Sequence, residues 1–513
     1  MDGIAKWIEK RTAITPERTA LIGARRWLSY REMNGEVNRI ARMLLDRYRL
    51  QPQERIAILA NNGIEYLLLL FAAARLGLIA VVLNHRLTPR ELQFQVNDSG
   101  VKVLIAEDCF RQAVEEFIRE TAIGQVLWFD PSGSSAEPLE RQASAYSAED
   151  LAEERADGSS PFIICYTSGT TGRPKGAVLT QENMFWNAVN NCVGLDITSS
   201  DRVLTLLPLF HIGGIGLFAL PALFAGGSVI VPDRFEPEKT LQVIEECRVT
   251  LVMGVPTIYD LLRKSPSFAK TDFRSVRTLY SGGAPCPHEL ISFYLERGIP
   301  FGQGFGMTET SPTVFLLSRE DYHRKIGSIG KPVLFCDIRV VDEQRRDLPA
   351  GEVGELLVRG PHVMRGYWNL PEETAAAIQD GWLATGDLVR RDEEGFVYIA
   401  GRKKEMIISG GENIYPLEIE QVIGELPAVD EVAVTGAADD KWGEVPVAVI
   451  VVKEAMELDQ ETVKNHCLRR LAKYKVPHLV HFVSALPKNA TGKIDKKQLR
   501  KQIEESTGWK QYG

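Results

Sequence analysis

The segment from Tyr166 to Gly176, YTSGTTGRPKG, combines residue types that bind phosphate. Its glycines let the backbone approach a ligand closely, its hydroxyl and backbone N–H groups can donate hydrogen bonds to anionic oxygens, and Lys175 adds a positive charge. The apolar run Pro161–Cys165 directly before it is typical of a buried strand. A strand that ends in such a loop predicts a binding site for a polyphosphate.

The segment differs from the P-loop of many nucleotide-binding proteins, which needs Gly-Lys followed by Ser or Thr. Pro174 stands where that motif has its second glycine, and Gly176 follows Lys175 in place of a hydroxyl residue. The alternative is a flexible surface loop. A flexible linker seldom has a strand before it and Pro-Lys-Gly after it, so the phosphate site is favoured.

Length and composition describe an ordinary globular protein with several structural units. The chain has 513 residues, of which 44% are hydrophobic and 25% are charged, and its net charge is −8. This length predicts about three units of ordinary domain size. Because an acidic chain lacks the basic excess that neutralises phosphates, the charge argues against nucleic acid as a partner.

The cysteines and the apolar stretches bear on the cellular compartment. The 7 cysteines are odd in number and none is spaced CxxC, which fits neither a disulfide framework nor a zinc site. The N-terminus has mixed charge, unlike a signal peptide. The most apolar stretch, Tyr66 to Leu83, contains Arg75 and Gly77, so it predicts a core helix and a core strand and no transmembrane segment. We expect a cytoplasmic protein in which Cys165 fills core space.

Strand-like runs alternate with amphipathic helical stretches over the first part of the chain, for example Arg55–Leu59, Arg202–Leu206 and helical Pro237–Glu246. This alternation predicts βα units and largely parallel sheets, which is an α/β fold. From Asp337 onwards, short strands joined by turns predict a small antiparallel barrel or meander. A polar break then follows at residues 401–404.

These patterns predict two domains. Residues 1–403 are expected to form a large N-terminal domain of two βα-layered sheets, with the barrel-like part at about 337–400, and residues 404–513 a small α+β domain. Within the second domain we expect two helices and two strands: helices Tyr415–Leu426 and Gln460–Lys473, strands Glu431–Thr435 and Val445–Val452.

Further along the chain, other motifs accompany the phosphate segment, and together they resemble the adenylate-forming superfamily. This superfamily contains acyl- and aryl-CoA synthetases, luciferases and the adenylation domains of peptide synthetases. The resemblance is closest to bacterial fatty-acyl-CoA or aryl-CoA ligases. The motifs occur in the family's order: YTSGTTGRPKG, GFGMTET at Gly304–Thr310, WLATGDL at Trp382–Leu388, GRKKEMIISGGENIYPLEIE at Gly401–Glu420, and PKNATGKIDK at Pro487–Lys496.

The resemblance implies a two-step reaction that uses ATP, Mg²⁺ and coenzyme A. A carboxylate attacks the α-phosphate of ATP to give an acyl-adenylate and pyrophosphate, and a thiol then displaces AMP. A carboxylate alone is a poor electrophile because its leaving group would be oxide, whereas AMP leaves readily. Because the first step brings two anions together, the site has to neutralise charge and hold the reactants in line.

The resemblance assigns catalysis to four residues. Glu309 is the expected Mg²⁺ ligand, with Thr167 near the metal, since Mg²⁺ prefers hard oxygen ligands. Thr308 is expected to hydrogen-bond the α-phosphate. Lys493 is expected to bridge the carboxylate and the α-phosphate during adenylation, and His211 to lie beside the acyl group and to change orientation between the two steps.

The resemblance also predicts how the nucleoside is bound. Phe305 stands where the family commonly has tyrosine and should stack against adenine. Asp387 is expected to accept hydrogen bonds from both ribose hydroxyls, and Arg402 to approach the ribose or a phosphate. The predicted ATP- and AMP-binding residues are Thr167, Ser168, Gly169, Thr170, Thr171, Gly172, Lys175, Gly283, Ala284, Pro285, Gly304, Phe305, Gly306, Met307, Thr308, Asp387, Arg402 and Lys493.

A movement of the C-terminal domain is implied by the resemblance alone. Lys493 is needed in the first step and would block the thiol in the second, so the domain is expected to swing about Lys404, which resembles the family's hinge residue. The swing would bring a different face to the path of the pantetheine chain of coenzyme A, formed by Ser409, Gly410, Gly411 and Glu412.

The acid is predicted from the segment expected to border the acyl group, which includes Phe210, His211, Gly213 and Gly214. This segment is apolar and has no obvious charge to receive a second carboxylate or an amine, which predicts a fatty acid of medium or long chain. An aryl acid or o-succinylbenzoate stays open, as does a carrier-protein thiol as acceptor. The sequence also leaves open whether the chain forms a homodimer. A non-catalytic nucleotide-binding protein is disfavoured because Glu309 and Lys493 are both present.

Overall fold

The computed structural model describes residues 3–129, 138–151, 155–167, 173–410, 412–439, 441–489 and 493–506. The chain forms a mixed α/β structure with a larger and a smaller compact unit, which confirms the predicted fold class. The larger unit comprises Met1–Ile338 and Val358–Leu383, and the smaller unit comprises Arg339–Leu357 and Ala384–Gly513. The domain boundary predicted at Lys404 stays a prediction.

The strands are β1 (Thr19–Gly23), β2 (Trp27–Ser29), β3 (Arg55–Leu59), β4 (Ile79–Val82), β5 (Val103–Glu107), β6 (Gln125–Phe129), β7 (Pro161–Thr167), β8 (Lys175–Thr180), β9 (Arg202–Thr205), β10 (Ser228–Val231), β11 (Leu251–Gly254), β12 (Thr278–Ser281), β13 (Phe301–Gly306), β14 (Thr313–Leu316), β15 (Lys331–Pro332), β16 (Asp337–Val341), β17 (Val353–Arg359), β18 (Gly366–Tyr367), β19 (Ile378–Gln379), β20 (Trp382–Arg391), β21 (Val397–Arg402), β22 (Ile407–Ser409), β23 (Glu412–Ile414), β24 (Val429–Asp439), β25 (Gly443–Val452) and β26 (Leu479–Phe482).

The α-helices are α1 (Ala5–Ile14), α2 (Tyr30–Asp46), α3 (Ile64–Leu76), α4 (Pro89–Ser99), α5 (Arg111–Phe117), α6 (Leu139–Ala143), α7 (Gln181–Gly194), α8 (Ile212–Gly214), α9 (Leu220–Ala225), α10 (Pro237–Glu246), α11 (Pro256–Lys264), α12 (His288–Leu295), α13 (Pro371–Ala377), α14 (Pro416–Gly424), α15 (Gln460–Leu468) and α16 (Lys496–Ser506). A π-helical turn occupies Ile215–Ala219, and short 3₁₀ turns include Thr308–Thr310 and Lys403–Glu405.

Two large sheets organise the larger unit. The first has the order β15-β14-β13-β12-β11-β9-β10-β1-β2, and its strands from β13 to β1 are parallel. The second has the order β18-β8-β7-β4-β3-β5-β6, parallel from β7 to β6 and antiparallel at β8 and β18. Helices connect most of the parallel strands, which confirms the predicted βα units and largely parallel sheets.

The most apolar stretch of the chain forms a buried helix and a buried strand in the core. Helix α3 is buried along almost its whole length and ends at Leu76, before Gly77, and strand β4 follows with every residue buried. A helix that is apolar all round is expected in the interior of a large protein. Among the residues that the structure describes, no helix is both long and apolar enough to span a lipid bilayer.

The smaller unit contains a sheet of the order β23-β22-β25-β24, with β26 parallel to β25. Alternate residues of β24 point to opposite faces. Val434 packs in the core cluster that includes residues of α14 and α15, whereas Ala433 packs in a cluster with Leu499 and Ile503 of α16. The sheet is therefore covered by helices on both faces. The short strands predicted after Asp337 form a sheet of the order β16-β17-β20-β19, with β21 also paired to β20.

The predicted helix Gln460–Lys473 was wrong at its C-terminal end, because α15 ends at Leu468. The backbone N–H groups of Arg470 and Leu471 both donate to the Cys467 carbonyl, which closes the last turn after the helix. Leu471 then packs against the core of the smaller unit. This tertiary contact overrides the helical propensity of the residues after Leu468.

Candidate active site

Glu309 is a buried carboxylate at the end of a strand of the first sheet. It lies in the 3₁₀ turn that follows β13 and is 6% exposed. Its Oε1 accepts a hydrogen bond of 3.0 Å from the Tyr367 hydroxyl and a longer one of 3.5 Å from Thr167 Oγ1. Within the described part of the chain, Oε2 accepts no hydrogen bond and Glu309 has no ion-pair partner. Because a buried carboxylate is costly without a cation, Glu309 is a candidate metal ligand.

Thr167 and Lys175 stand opposite each other at the ends of β7 and β8, on either side of the predicted phosphate loop. Thr167 Oγ1 lies 3.4 Å from the Lys175 carbonyl oxygen, and Lys175 Nζ lies 5.3 Å from the centre of the Tyr367 ring. The structure thus places Thr167 against Glu309 and Lys175 beside the Tyr367 ring, and the roles that the motifs imply for them stay predictions. The loop residues between them, Ser168, Gly169, Thr170, Thr171 and Gly172, lie outside the described residues.

Tyr367 belongs to this group of side chains although it was not predicted from the sequence. It lies in β18, which pairs with β8, and its backbone N–H donates to Thr374 Oγ1 at 2.9 Å. Burial, reinforced by the Glu309 carboxylate, raises the pKa of Tyr367 well above its usual range, so its hydroxyl stays protonated and donates. The sequence signal is weak: an aromatic residue after a glycine in an otherwise ordinary segment.

Two groups of the predicted ATP- and AMP-binding residues lie at the carboxyl ends of neighbouring parallel strands. Gly283, Ala284 and Pro285 are exposed in the loop after β12, and Gly304, Phe305, Gly306 and Met307 end or follow β13. The half-buried Phe305 ring lies 6.1 Å from the Phe315 ring between centroids. Ligands of open α/β sheets bind at this edge, so the position is suitable for a nucleotide base.

The segment predicted to border the acyl group continues to Gly216, which lies against Ser311 and Pro312, the residues that directly follow the turn carrying Glu309. Phe210 is buried after β9, His211 is half-buried, and Gly213 and Gly214 lie in α8. Asn187 of α7 joins Gly216 to Thr313, the first residue of β14 after that turn. Its Nδ2 donates to the Gly216 carbonyl at 2.6 Å, and its Oδ1 accepts from the Thr313 N–H at 3.0 Å.

Cys165 and Thr308 lie where β7, the acyl segment and the Glu309 turn meet. The Cys165 thiol is buried and lies 4.0 Å from the Phe210 carbonyl oxygen, and the Thr308 side chain lies near it. Burial raises the pKa of the Cys165 thiol to about 12. The thiol therefore stays protonated near neutral pH and serves as packing, as the sequence predicted.

In the smaller unit, Asp387 and Arg402 form a cross-strand ion pair. They stand opposite each other in β20 and β21, and Arg402 Nε lies 2.6 Å from Asp387 Oδ1. The Asp387 side chain is only 4% exposed, whereas that of Arg402 is 42% exposed. Asp387 is therefore a buried carboxylate whose charge is balanced by a cation, in contrast to Glu309.

Lys493 lies within the electrostatic influence of this pair. Desolvation of its amino group and the Arg402 guanidinium lower the pKa of Lys493, and Asp387 opposes this shift. The residue is exposed at the surface although protein atoms crowd its amino group, and contact with water weakens both effects.

The backbone of Lys493 is held by Asn489: its N–H donates to Asn489 Oδ1 at 3.1 Å and its carbonyl accepts from the Asn489 N–H at 2.8 Å. The neighbouring lysines are engaged elsewhere. Lys488 pairs with Glu431 at 2.7 Å, and Lys496 pairs with Glu420 at 2.7 Å.

The predicted hinge and pantetheine path also belong to the smaller unit. Lys404 is exposed in the turn Lys403–Glu405, and Ser409 and Glu412 face each other across β22 and β23. Gly410 has a φ of +58°, and its N–H donates to the Trp442 carbonyl at 2.7 Å. A side chain at this position would meet the Trp442 ring at 2.7 Å, which explains the glycine. Gly411 lies outside the described residues.

Comparison with known proteins agrees with these features. The AMP-binding enzyme family matches residues 8–368, and the AMP-binding enzyme C-terminal domain matches residues 418–493. The chain belongs to the AMP-binding enzyme family. Within that family it is an AMP-forming acid–CoA ligase, an enzyme that uses ATP and coenzyme A.

The similar proteins are named for different carboxylic acids. Feruloyl-CoA synthase from Amycolatopsis sp. is 41% identical, indoleacetate–CoA ligase from Aromatoleum aromaticum is 39% identical, and long-chain-fatty-acid–CoA ligase FadD13 from Mycobacterium tuberculosis is 37% identical. Each match covers 98% of this chain and 99% of the relative. The crystal structure of ATP-bound MatB from Rhodopseudomonas palustris is similar with a TM-score of 0.91 and 32% identity, over 98% of this chain and 99% of that one.

Proposed function

We propose that this ligase activates a carboxylic acid with an aromatic acyl part as the acyl-adenylate and transfers it to coenzyme A. The observation that carries the adenylation step is the Glu309 carboxylate, held by hydroxyl groups beside the ends of β7 and β8. The aromatic substrate is supported by relatives with 41% and 39% identity that are named for ferulate and indoleacetate. A buried, apolar Phe210 in the proposed acyl segment is compatible with this class.

A fatty acid of medium or long chain is the second candidate, as predicted from the sequence. It is supported by the 37% identity to FadD13 and by the apolar character of the segment around Phe210. An o-succinylbenzoate substrate is a further alternative of the same aryl class. One methylene contributes only about 1–3 kcal/mol to discrimination, so an apolar lining alone favours neither class strongly.

A substrate screen separates these candidates. Pyrophosphate release and acyl-CoA formation are measured with ferulate, indoleacetate, o-succinylbenzoate and fatty acids of increasing length, each with ATP, Mg²⁺ and coenzyme A. We expect the highest kcat/KM with an aryl acid. A fatty acid that exceeds every aryl acid would contradict the proposal and support the sequence prediction. Replacing coenzyme A by a phosphopantetheinylated carrier protein tests the acceptor in the same assay.

We propose that Glu309 contributes the protein's carboxylate to a bound Mg²⁺, with Thr167 nearby. The residues fit this role, since Mg²⁺ takes hard oxygen ligands and is commonly held by one or two carboxylates together with substrate phosphates. Among the described residues no cluster of three or more His, Cys, Asp or Glu side chains forms a metal site, and phosphate oxygens and waters would complete the coordination. Bound Mg²⁺ would neutralise phosphate charge as pyrophosphate leaves.

We propose that Lys493 stabilises the negative charge of the adenylation transition state and that Asp387 binds the ribose hydroxyls. The crowded position of the Lys493 amino group near the Asp387–Arg402 pair supports both roles. Movement of residues 404–513 about Lys404 between the two steps is proposed from the resemblance. A protein crosslinked across this hinge in either state should complete only one of the two half-reactions.

The cellular location is proposed to be the cytoplasm. All the cysteines are unpaired, which is usual in a reducing compartment. Fractionation of cells that express the tagged protein tests this proposal.

A further inference from the structure

The Tyr367 hydroxyl donates the shorter of the two hydrogen bonds that the Glu309 carboxylate accepts. It donates to Oε1 at 3.0 Å, compared with 3.5 Å for Thr167 Oγ1. Both hydrogen bonds end on Oε1, and Oε2 accepts no hydrogen bond from the described residues. The two hydroxyls thus hold the carboxylate through Oε1 and leave Oε2 available to a ligand.

Backbone contacts place Tyr367 before any ligand arrives. Tyr367 pairs with Ala177 in β8, its N–H donates to Thr374 Oγ1 at 2.9 Å, and the N–H of the next residue, Trp368, donates to the Gly176 carbonyl at 2.7 Å. The same short segment also holds the backbone of Glu309, because the Met364 N–H donates to the Glu309 carbonyl at 2.8 Å. The position of the hydroxyl is therefore set by the sheet, which is how precise supporting groups are built.

We propose that Tyr367 is a positioning residue that orients Glu309 so that Oε2 can bind the divalent cation of the metal–ATP complex. This rests on the proposed role of Glu309 as metal ligand. Tyr367 acts through Glu309 and contacts neither the cation nor the acid. The Lys175 ammonium, 5.3 Å from the centre of the Tyr367 ring, is held on the face of the same side chain, so Tyr367 also links the carboxylate to the strand that leaves the phosphate loop.

Removing the hydroxyl alone should loosen the carboxylate without unfolding the protein. In Tyr367→Phe the ring and its backbone contacts stay, and Glu309 keeps only the weaker Thr167 bond. Loss of a supporting hydrogen bond to a metal ligand lowers metal affinity by about 10–100-fold, and we expect about 10-fold here because one donor remains.

The experiment measures Mn²⁺ binding by EPR to the full-length enzyme with α,β-methylene-ATP, which cannot release pyrophosphate. The variants are Tyr367→Phe, Glu309→Gln and the double variant, with unfolding temperature measured for each. Tyr294→Phe is the matched control, since it removes a buried hydroxyl that donates a single 2.6 Å bond to the Tyr259 carbonyl. Thr374→Val is a second probe that keeps the Tyr367 hydroxyl but removes the acceptor of its backbone N–H.

The expected result is weaker Mn²⁺ binding in Tyr367→Phe and Glu309→Gln, no further weakening in the double variant, and unchanged binding in Tyr294→Phe. Thr374→Val should show the same direction with a smaller effect. The inference is overturned if Glu309→Gln weakens Mn²⁺ binding but Tyr367→Phe behaves like Tyr294→Phe, or if the two effects add in the double variant. If Glu309→Gln binds Mn²⁺ normally, the proposed metal role fails, and this inference fails with it.

Discussion

Replacing Asn187 with alanine tests whether the proposed acyl segment and the Glu309 turn work as one unit. Asn187 is fully buried in α7, and its side-chain amide joins Gly216, which follows the proposed acyl segment, to β14, which follows the Glu309 turn. The amide donates to the Gly216 carbonyl at 2.6 Å and accepts from the Thr313 N–H at 3.0 Å. The alanine variant removes both bonds and leaves two main-chain groups facing a small cavity.

The expected loss of stability follows from the two main-chain groups that the alanine variant leaves without their Asn187 partner. The Thr313 N–H loses its side-chain acceptor in a buried site, which costs about 1–3 kcal/mol. The Gly216 carbonyl keeps a weaker bond of 3.3 Å from Asn191 Nδ2, so its share is smaller. We expect a decrease of about 2–4 kcal/mol in the free energy of unfolding. A relative shift of the two segments by about 1 Å would lower kcat/KM for the acid by up to about 100-fold.

Urea unfolding gives the stability, and acid-dependent exchange of pyrophosphate into ATP gives adenylation. Asn190→Ala is the control on the same helix: Asn190 is also buried, but its Oδ1 accepts from the Phe335 N–H at 3.0 Å and does not contact either segment. Both variants should lose stability, and only Asn187→Ala should lose adenylation strongly. Wild-type kcat/KM in a destabilised Asn187→Ala, or equal losses in the two variants, would refute the reasoning.

Three further predictions concern the smaller unit. Lys493→Gln should lower adenylation by about 10²–10³-fold while transfer from preformed acyl-adenylate to coenzyme A continues, because it removes charge stabilisation from one transition state. Since desolvation and Arg402 lower the pKa of Lys493, kcat/KM for ATP should fall as pH rises through that lowered pKa. In Lys493→Arg this fall should move to higher pH, and an unchanged profile would exclude Lys493 as the titrating group.

Asp387→Asn should weaken ATP binding by about 10–100-fold, as expected for a lost hydrogen bond to a charged group. The same variant should discriminate less than wild type against 2′-deoxy-ATP, and wild-type discrimination would contradict ribose binding. Gly410→Val should slow thioester formation more than pyrophosphate release, because its side chain would meet the Trp442 ring at a φ of +58°. An equal slowing of both steps would argue against a pantetheine path there.

Much of the fold could be predicted because the information is local. The alternation of strand β3, helix α3 and strand β4 follows from apolar runs that end near glycines, and helix α10 begins at a proline, which helices favour at their first position. The end of α15 could not be predicted, because it depends on Leu471 packing against residues distant in the chain. Element ends are set by such tertiary contacts more often than element interiors are.

The candidate site shows the same division between local and distant information. Thr167, Lys175 and Glu309 were predicted from motifs, and the structure brings them together. Tyr367 was not predicted, because its role exists only through the pairing of β18 with β8. Asn187 was missed for a similar reason: a buried asparagine on a helix gives no sign of which two segments it joins.

The two buried carboxylates differ in a way that matches their proposed ligands. Glu309 accepts hydrogen bonds from two neutral hydroxyl groups, which leave its carboxylate without a counter-ion among the described residues, so a cation can bind to it. A lysine or arginine in place of Tyr367 would satisfy the carboxylate and compete with the metal. Asp387 already has Arg402 as its counter-ion, and a neutral diol can bind to such a pair by hydrogen bonds with no change in net charge. The partner of each carboxylate is therefore a better guide to its ligand than the carboxylate itself.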